Sequence, residues 1–296
     1  MSRRIEDKKT GLILSNDYNR LSVKVSYWII FTLLIVWSVA ALLPVVWAFL
    51  SGFKEIDEFY STTPSFFPKN MDFSRIKAVW NDMRLGGRFV NTVVMFAGVW
   101  ISEVLIGGVA GYTMSRLKPA GSKYLFMLIM WTMMMPQTVT MVPKFLMYID
   151  VPFFHWNLQN TYVPFWLSAM ANAYNIVLFK SFFDTIPLSY IESAKIDGCS
   201  NAGIYTKIIM PLSKPIIATI TIFVFNGVWN NFLMPYLLIK DTSLYTVALG
   251  LYTIRDSWTE PFQMLAAFIV IVPPIIIFLM CSRQILSSNV NVGVKE

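Results

Sequence analysis

Six apolar stretches alternate with polar segments along the chain, each close to the roughly 20 residues that cross a bilayer as a helix. They lie near Tyr27–Leu50, Phe89–Met114, Tyr124–Met147, Tyr162–Phe179, Ile216–Ile239 and Phe262–Cys281. Each is expected to be a membrane-spanning helix. The third and fourth carry Pro and Asn, which makes them the spans most open to interruption. Ser38-Val-Ala40 resembles a signal-peptide cleavage site. However, a long polar stretch precedes the run, and the run itself continues through Pro44 to Leu50, too far for a signal core. The expected organisation is a polar N-terminal segment (1–25), a first span (26–50), a loop (51–88), a core with five further spans (89–282) and a polar tail (283–296).

Between the fourth and fifth runs the pattern changes. Residues 180–214 are polar and turn-rich, too long for a simple turn and too regular for disorder. Ser189-Tyr-Ile-Glu192 has the spacing of a capping box and is expected to open a helix after Pro187. That helix runs to about Ile196, and Gly198 stops it. Ser200 or Asn201 then caps a second short helix, Ala202 to Ile209, ended by Pro211. Ala194 and Gly198 are four apart and define a strip nearly bare of side chains, against which another protein's surface can come close. A plain connector between spans is the other reading of the same residues.

Composition agrees with a membrane protein. Hydrophobic residues make up 56% and charged residues 14% of the chain, against about 25% charged in soluble domains. Of the 24 Lys and Arg, 15 fall in the segments on the side of the N-terminus, counting Arg3 to Lys24, Arg116 to Lys123, Lys180 to Lys214, Arg283 and Lys295. The positive-inside bias therefore puts both termini in the cytoplasm. Juxtamembrane cations account for the net charge of +7 without nucleic acid. The loops 51–88 and 241–261 are each either caps on the bundle or contact surfaces for an external partner. Cys199 and Cys281 indicate neither a disulfide nor a metal set, and His155 alone cannot build one.

The spacing of Glu192, Ala194, Gly198, Ile208 and Pro211 resembles the EAA motif of ABC importer permeases, with Asp197-Gly198 in the form of the sugar permeases. Ser193, Cys199 and Met210 depart conservatively from the family's usual residues. Phe182-Phe183-Asp184-Thr-Ile186-Pro187 is similar to the family's lead-in, and Trp229-Asn230-Asn231-Phe232-Leu-Met-Pro235 to its fifth-span signature. Gly293-Val294-Lys295 is similar to the tail of maltose-type permeases, with Glu296 where a Gly is usual.

The resemblance implies an all-α, six-span type I ABC importer permease of the oligosaccharide class in the cell membrane. It implies a coupling helix over 189–210 seated in a cytoplasmic ATPase subunit. Glu192 would pair with a base there, Gly198 would make the turn, and Ala194 and Ile208 would give apolar contact, with Asp197 and Pro211 completing the motif. Gly293, Val294 and Lys295 would reach between two ATPase subunits. The implied partners are a second permease, making a heterodimer, two ATPases that bind ATP and Mg, and an extracytoplasmic solute-binding protein. This chain is expected to bind no cofactor and to catalyse nothing itself.

Polar groups inside the spans are costly and face a bundle interior or a wet path. Glu103 is read as hydrogen-bonded to a neighbouring helix, in preference to a transport role. Asn172, Asn226, Asn230 and Asn231, with Trp229 beside them, are candidates for the substrate path, because amides and indole faces suit sugar hydroxyls and C–H faces. Helix–helix hydrogen bonding is the competing reading. Met133 to Met135 before Pro136 mark an adaptable, gap-filling kink. The chain contains no phosphate-binding Gly-x-x-x-x-Gly-Lys-Ser/Thr. It has no visible repeat and no set of intramembrane ionisable groups, as a secondary transporter would need, and no His, Asp or Cys cluster for an intramembrane enzyme. A non-sugar ABC importer remains the alternative cargo class.

Overall fold

The computed structural model describes residues 21–63, 65–255 and 257–292. Among the described residues the regular secondary structure is helical, apart from one isolated antiparallel bridge, Val151 with Trp156. The first helix, α1 (Leu21–Ser51), is apolar on all sides and exposed until its last turn, as a lipid-facing helix is. Gly52 then brings the chain against the last helix, Glu260–Val292, so closely that an added Cβ would lie 2.6 Å from Leu265 Cβ. Two short helices, α2 (Ile56–Phe59) and α3 (Ser74–Asp82), follow.

The next helix, α4 (Leu85–Leu117), is 33 residues long. It widens into π-turns at Glu103–Gly107 and Thr113–Leu117. After it come α5 (Ser122–Met133), α6 (Gln137–Ile149), α7 (Val163–Met170) and α8 (Ala173–Thr185). Two short helices, α9 (Leu188–Ile196) and α10 (Asn201–Leu212), lead into α11 (Lys214–Trp229). The chain closes with α12 (Leu233–Leu238), α13 (Val247–Ile254) and α14 (Glu260–Val292).

The six expected spans therefore appear in a less regular form. Among the described residues, α1, α4 and the Glu260–Arg283 part of α14 are long and apolar enough to cross a membrane. Up to five crossings result if each bent pair counts as one. The third run is such a pair, Ser122–Met133 and Thr138–Ile149, bent by 104°. The break falls at Met134-Met135-Pro136, where proline can neither donate a hydrogen bond nor allow the preceding residue to stay helical. The kink is as expected, but the gap-filling is not, because Met134 is 80% exposed. The fourth run is cut at Ala171–Asn172. The fifth helix stops at Trp229, ten residues before the end of its apolar run.

Two apolar clusters hold the bundle. One gathers Met95, Val99, Phe179, Phe183, Ile204, Ile209 and Ile220 where α4, α8, α10 and α11 meet. The other gathers Phe53, Val79, Met83, Phe225, Trp229 and Leu265 at the far end of α4. In lipid the apolar effect does not separate helix from helix, so close backbone approach counts for more. Gly111 provides it: a Cβ there would sit 2.6 Å from Phe179 Cβ and 2.9 Å from the Lys180 amide nitrogen.

Polar contacts tie described residues of the loop 51–88 to one another and to α1. Lys54 is 2% exposed, donates to Ser65 O at 2.5 Å and lies 4.2 Å from the centroid of the Trp47 ring. Glu58 accepts from Ser65 Oγ (2.9 Å) and the Lys69 amide (3.0 Å). At the same end, Thr92 Oγ1 accepts from the Val247 amide at 2.9 Å, and Tyr162 donates to Leu244 O at 2.8 Å.

Candidate functional site

The end of α8 and the segment α9–α10 form one joint. Arg116, in the widened last turn of α4, donates to the carbonyls of Phe183 and Ile186. They lie at the C-terminal end of α8, where the ladder runs out; Phe183 O also accepts the Ile186 N–H at 3.2 Å. Ser115 Oγ donates to Asp184 Oδ1 at 2.6 Å, and Lys180 Nζ to Asp184 Oδ2 at 2.7 Å. Burial alone would raise the Asp184 carboxyl. The hydrogen bonds from Lys180 and Ser115 and the charges of Lys180 and Arg116 outweigh it and hold the group below its ordinary value.

From there Pro187 starts α9. The expected capping box does not form: the helix begins at Leu188, one residue before Ser189, and no side chain caps it. With Pro187 already at the cap position, its fixed φ makes the entry and Ser189 is inside the first turn. The other end is as the sequence predicts. Gly198 has φ +76°, Cys199 N–H reaches Ala194 O (2.9 Å) and Gly198 N–H reaches Lys195 O (3.0 Å), which is a Schellman closure. Ser200 then caps α10, its Oγ accepting from the Gly203 amide at 3.2 Å.

Pro211 does not end α10. The helix continues to Leu212, because a π-turn at Tyr205–Ile209 lets the Met210 N–H bond to Tyr205 O and relieves the ladder ahead of the proline. The corner comes at buried Ser213, whose Oγ bonds Ile209 O at 2.6 Å, and α11 leaves at 74° to α10. On the inner side, Tyr112 packs on Tyr205 with ring centroids 5.2 Å apart.

The motif residues consequently divide into two faces. Glu192, Asp197, Gly198 and Pro211 are exposed, and Ile208 is half-buried. Ala194 is 7% exposed and turned into this chain's own core beside Ile191. The expected bare strip toward a partner is thus corrected: a small residue at 194 lets α9 lie against its own bundle, and the outward face belongs to other residues. Ile196, 86% exposed, is the apolar group that projects. Its position four residues after Glu192, on the same helix face, was the available signal. Among the described residues Glu192 has no ion-pair partner. Gly293, Val294 and Lys295 lie outside the described residues.

A cavity of ≈ 860 Å³ opens between α4, α5, α6, α7, α8 and α11. Its wall includes Glu103, Thr132, Thr140, Lys144, Ser168, Tyr174, Phe223 and Asn231. Glu103 is 6% exposed and accepts from Asn172 Nδ2 at 2.8 Å and from Asn175 Nδ2. Asn172 also caps α8, its Oδ1 accepting from the Tyr174 amide at 3.1 Å. The expected helix-to-helix hydrogen bonding of Glu103 is what the structure shows, and it fixes the break in the fourth run. Tyr174 and Phe223 lie edge to face on the wall, with centroids 5.9 Å apart.

Of the five substrate-path candidates Asn172 and Asn231 reach this wall; Asn226 and Asn230 are exposed elsewhere, with Asn230 Nδ2 bonded to Asn226 O at 3.0 Å. Trp229 is a correction. It is 3% exposed, stacks on Phe225 at 4.8 Å and donates its indole N–H to Val270 O at 3.1 Å. That carbonyl is four residues before Pro274, whose missing N–H leaves it without a helical donor, so the indole completes the α14 ladder. His155 is on an exposed hairpin with Asp150 Oδ1 at 2.9 Å. Among the described residues no group of three His, Cys, Asp or Glu could hold a metal.

The sequence profile described as binding-protein-dependent transport system inner membrane component matches residues 103–292. The chain belongs to that family: it is a multi-pass, non-catalytic permease subunit of an ABC importer that works with a solute-binding protein. It is 27% identical over 262 residues to the diacetylchitobiose uptake system permease protein of Streptomyces coelicolor, covering 86% of this chain and 85% of that one. It is 29% identical over 205 residues to the arabinooligosaccharides transport system permease protein of Halalkalibacterium halodurans, covering 67% and 72%. Its fold matches a chain of a bacterial ABC transporter involved in the import of the acidic polysaccharide alginate. The TM-score is 0.76 at 22% identity, over 93% of this chain and 99% of that one. The all-α fold of a type I ABC importer permease follows.

Proposed function

We propose that this permease imports oligosaccharides, and that the α9–Gly198–α10 elbow is where its motor docks. The observation that carries the reading is the division of the elbow into a face locked to the bundle and a face turned outward. Arg116, Tyr112 and Ala194 belong to the first; Glu192, Ile196, Asp197 and Gly198 belong to the second. In this proposal Glu192 meets a cation of a cytoplasmic ATPase, Ile196 enters an apolar recess beside it, and Ile208 and Pro211 stiffen the second arm. Gly293, Val294 and Lys295 reach between two ATPase subunits, as in maltose-type permeases. Both termini then face the cytoplasm, consistent with the Lys and Arg distribution. The six apolar runs make six crossings, some of them broken.

The cavity supports a sugar cargo. Hydroxyl and amide groups (Thr132, Thr140, Ser168, Asn231) stand beside the exposed Tyr174–Phe223 pair, the mixture of hydrogen-bonding and flat apolar surface that a sugar ring presents. Its ≈ 860 Å³ lies within the roughly 300–1,000 Å³ of small-molecule sites. A second permease closes the pathway, and Asn226, Trp229 and Asn230 belong to its surroundings more than to its wall. ATP binding by the paired motors moves the elbow as a lever, biasing two packings of the spans that are close in stability.

The test is reconstitution of the complete transporter in liposomes with its binding protein. ATP-dependent uptake of an oligosaccharide panel is compared with uptake of a dipeptide panel. Uptake of at least one oligosaccharide and no dipeptide is expected. Dipeptide uptake alone would assign the cavity to another cargo.

A further inference from the structure

Lys144 is a charged residue inside the third apolar run, where an ionised side chain is costly unless it faces water or a ligand. It is exposed on α6, directly after Pro143. It lines the ≈ 860 Å³ cavity on one side. On the other it lines a second recess of ≈ 410 Å³ formed with Tyr148, Val151, Pro152 and Leu158. Leu158 N–H bonds Tyr148 O at 2.9 Å, and the Asn160 amide bonds Leu238 O at 3.0 Å, which ties this recess to the end of the bundle away from α9 and α10. Lys144 therefore stands where the recess passes into the central cavity.

The charges on the cavity wall are unequal in availability. Glu103 is buried, and both of its oxygens already accept amide hydrogens from Asn172 and Asn175. Lys144 has no hydrogen-bond or ion-pair partner among the described residues. The group free to meet a solute is thus a cation, set among the hydroxyls of Thr140 and Ser168 and near an aromatic pair.

We infer that Lys144 recognises a carboxylate on the cargo, so that the permeant oligosaccharide is an acidic one. This rests on the oligosaccharide reading above and narrows it. An ammonium on a four-carbon stem is a mobile point charge that can follow a carboxylate from the recess into the cavity, where a fixed fork would hold it. Lower dielectric inside the cavity strengthens the attraction relative to water.

Equilibrium binding to the complete solubilised transporter, without binding protein, tests the inference with two matched probes: a trigalacturonate and a neutral galactotriose. The expected result is that Lys144→Gln weakens trigalacturonate about tenfold, the loss of one charge-assisted hydrogen bond, and leaves galactotriose unchanged. Lys144→Arg retains the acidic probe. Equal effects on both probes, or none on trigalacturonate, would make Lys144 a lysine that reaches for lipid headgroups and overturn the inference. Wild-type binding of the neutral probe alone overturns it too and leaves the oligosaccharide reading standing. If neither trisaccharide binds and a dipeptide does, both fall.

Discussion

Replacing Arg116 with Met removes the bolt that joins α4 to the end of α8 while keeping the length and much of the apolar volume of the side chain. In the native chain Arg116 serves the carbonyls of Phe183 and Ile186, and Pro187 follows at once to begin α9. Hydrogen bonds from a charged donor contribute roughly 1.5–3 kcal/mol each, so two are worth about 3–6 kcal/mol. Against this, Arg116 Nε is buried without a partner, and its removal returns roughly 1–3 kcal/mol. The net destabilisation is about 2–3 kcal/mol. For a chain of this size that corresponds to a fall of roughly 3–5 °C in thermal midpoint, measured on the purified transporter in detergent. The position predicts a second effect. With α8 no longer fixed to α4, the elbow moves without the spans, and solute moved per ATP hydrolysed falls more than ATP hydrolysis does. Arg116→Lys, which keeps the charge but not the forked donors, recovers part of both. A variant Arg116→Met that melts within about 1 °C of the wild type and keeps the full ratio would refute the reasoning.

Gly111→Val places branched atoms where a Cβ alone would stand 2.6 Å from Phe179 Cβ; a loss of roughly 1–3 kcal/mol is expected, read as lowered yield and thermal midpoint. Trp229→Phe leaves Val270 O unpaired beneath Pro274, and a loss of about 1 kcal/mol is expected, with uptake per folded transporter unchanged; a changed substrate preference would return Trp229 to the transport path. Asp184, whose folded carboxyl is held below its ordinary value of 3.8, contributes stability that is present above that value and is lost as pH falls below it through the folded value. Asp184→Asn should therefore flatten the acid limb of a stability–pH curve, and an unchanged limb would show that the Ser115–Lys180 contacts do not stabilise the anion.

Some of this architecture can be read from the chain directly. The continuous apolar runs of α1, α4 and α14 are visible because nothing in them competes with the helix strongly enough to stop it. Gly198 and Ser200 are visible because positive φ and an amide cap each demand a particular residue type. The misreadings have physical causes of their own. Ser189-x-x-Glu192 has the spacing of a capping box, yet Pro187, two residues earlier, starts the helix at Leu188 and leaves Ser189 inside the first turn. Ala194 has no direction in a sequence, and only packing shows that it faces inward. Trp229 beside three Asn reads as a sugar platform until Pro274, forty-five residues later, shows which carbonyl needs its N–H. Lys144 is a charge within an apolar run, but its place depends on two recesses that no linear pattern displays.

In the proposal above, Glu192 and its neighbours on the outward face of α9 join this permease to its motor. Glu192→Lys reverses the charge at an exposed position with no ion-pair partner among the described residues, so the fold should be untouched. Co-purification of the ATPase with the variant, together with ATP-driven uptake in liposomes, is the direct measurement. A normal thermal midpoint for the permease with loss of both ATPase retention and uptake is expected. Full retention and wild-type uptake would contradict it.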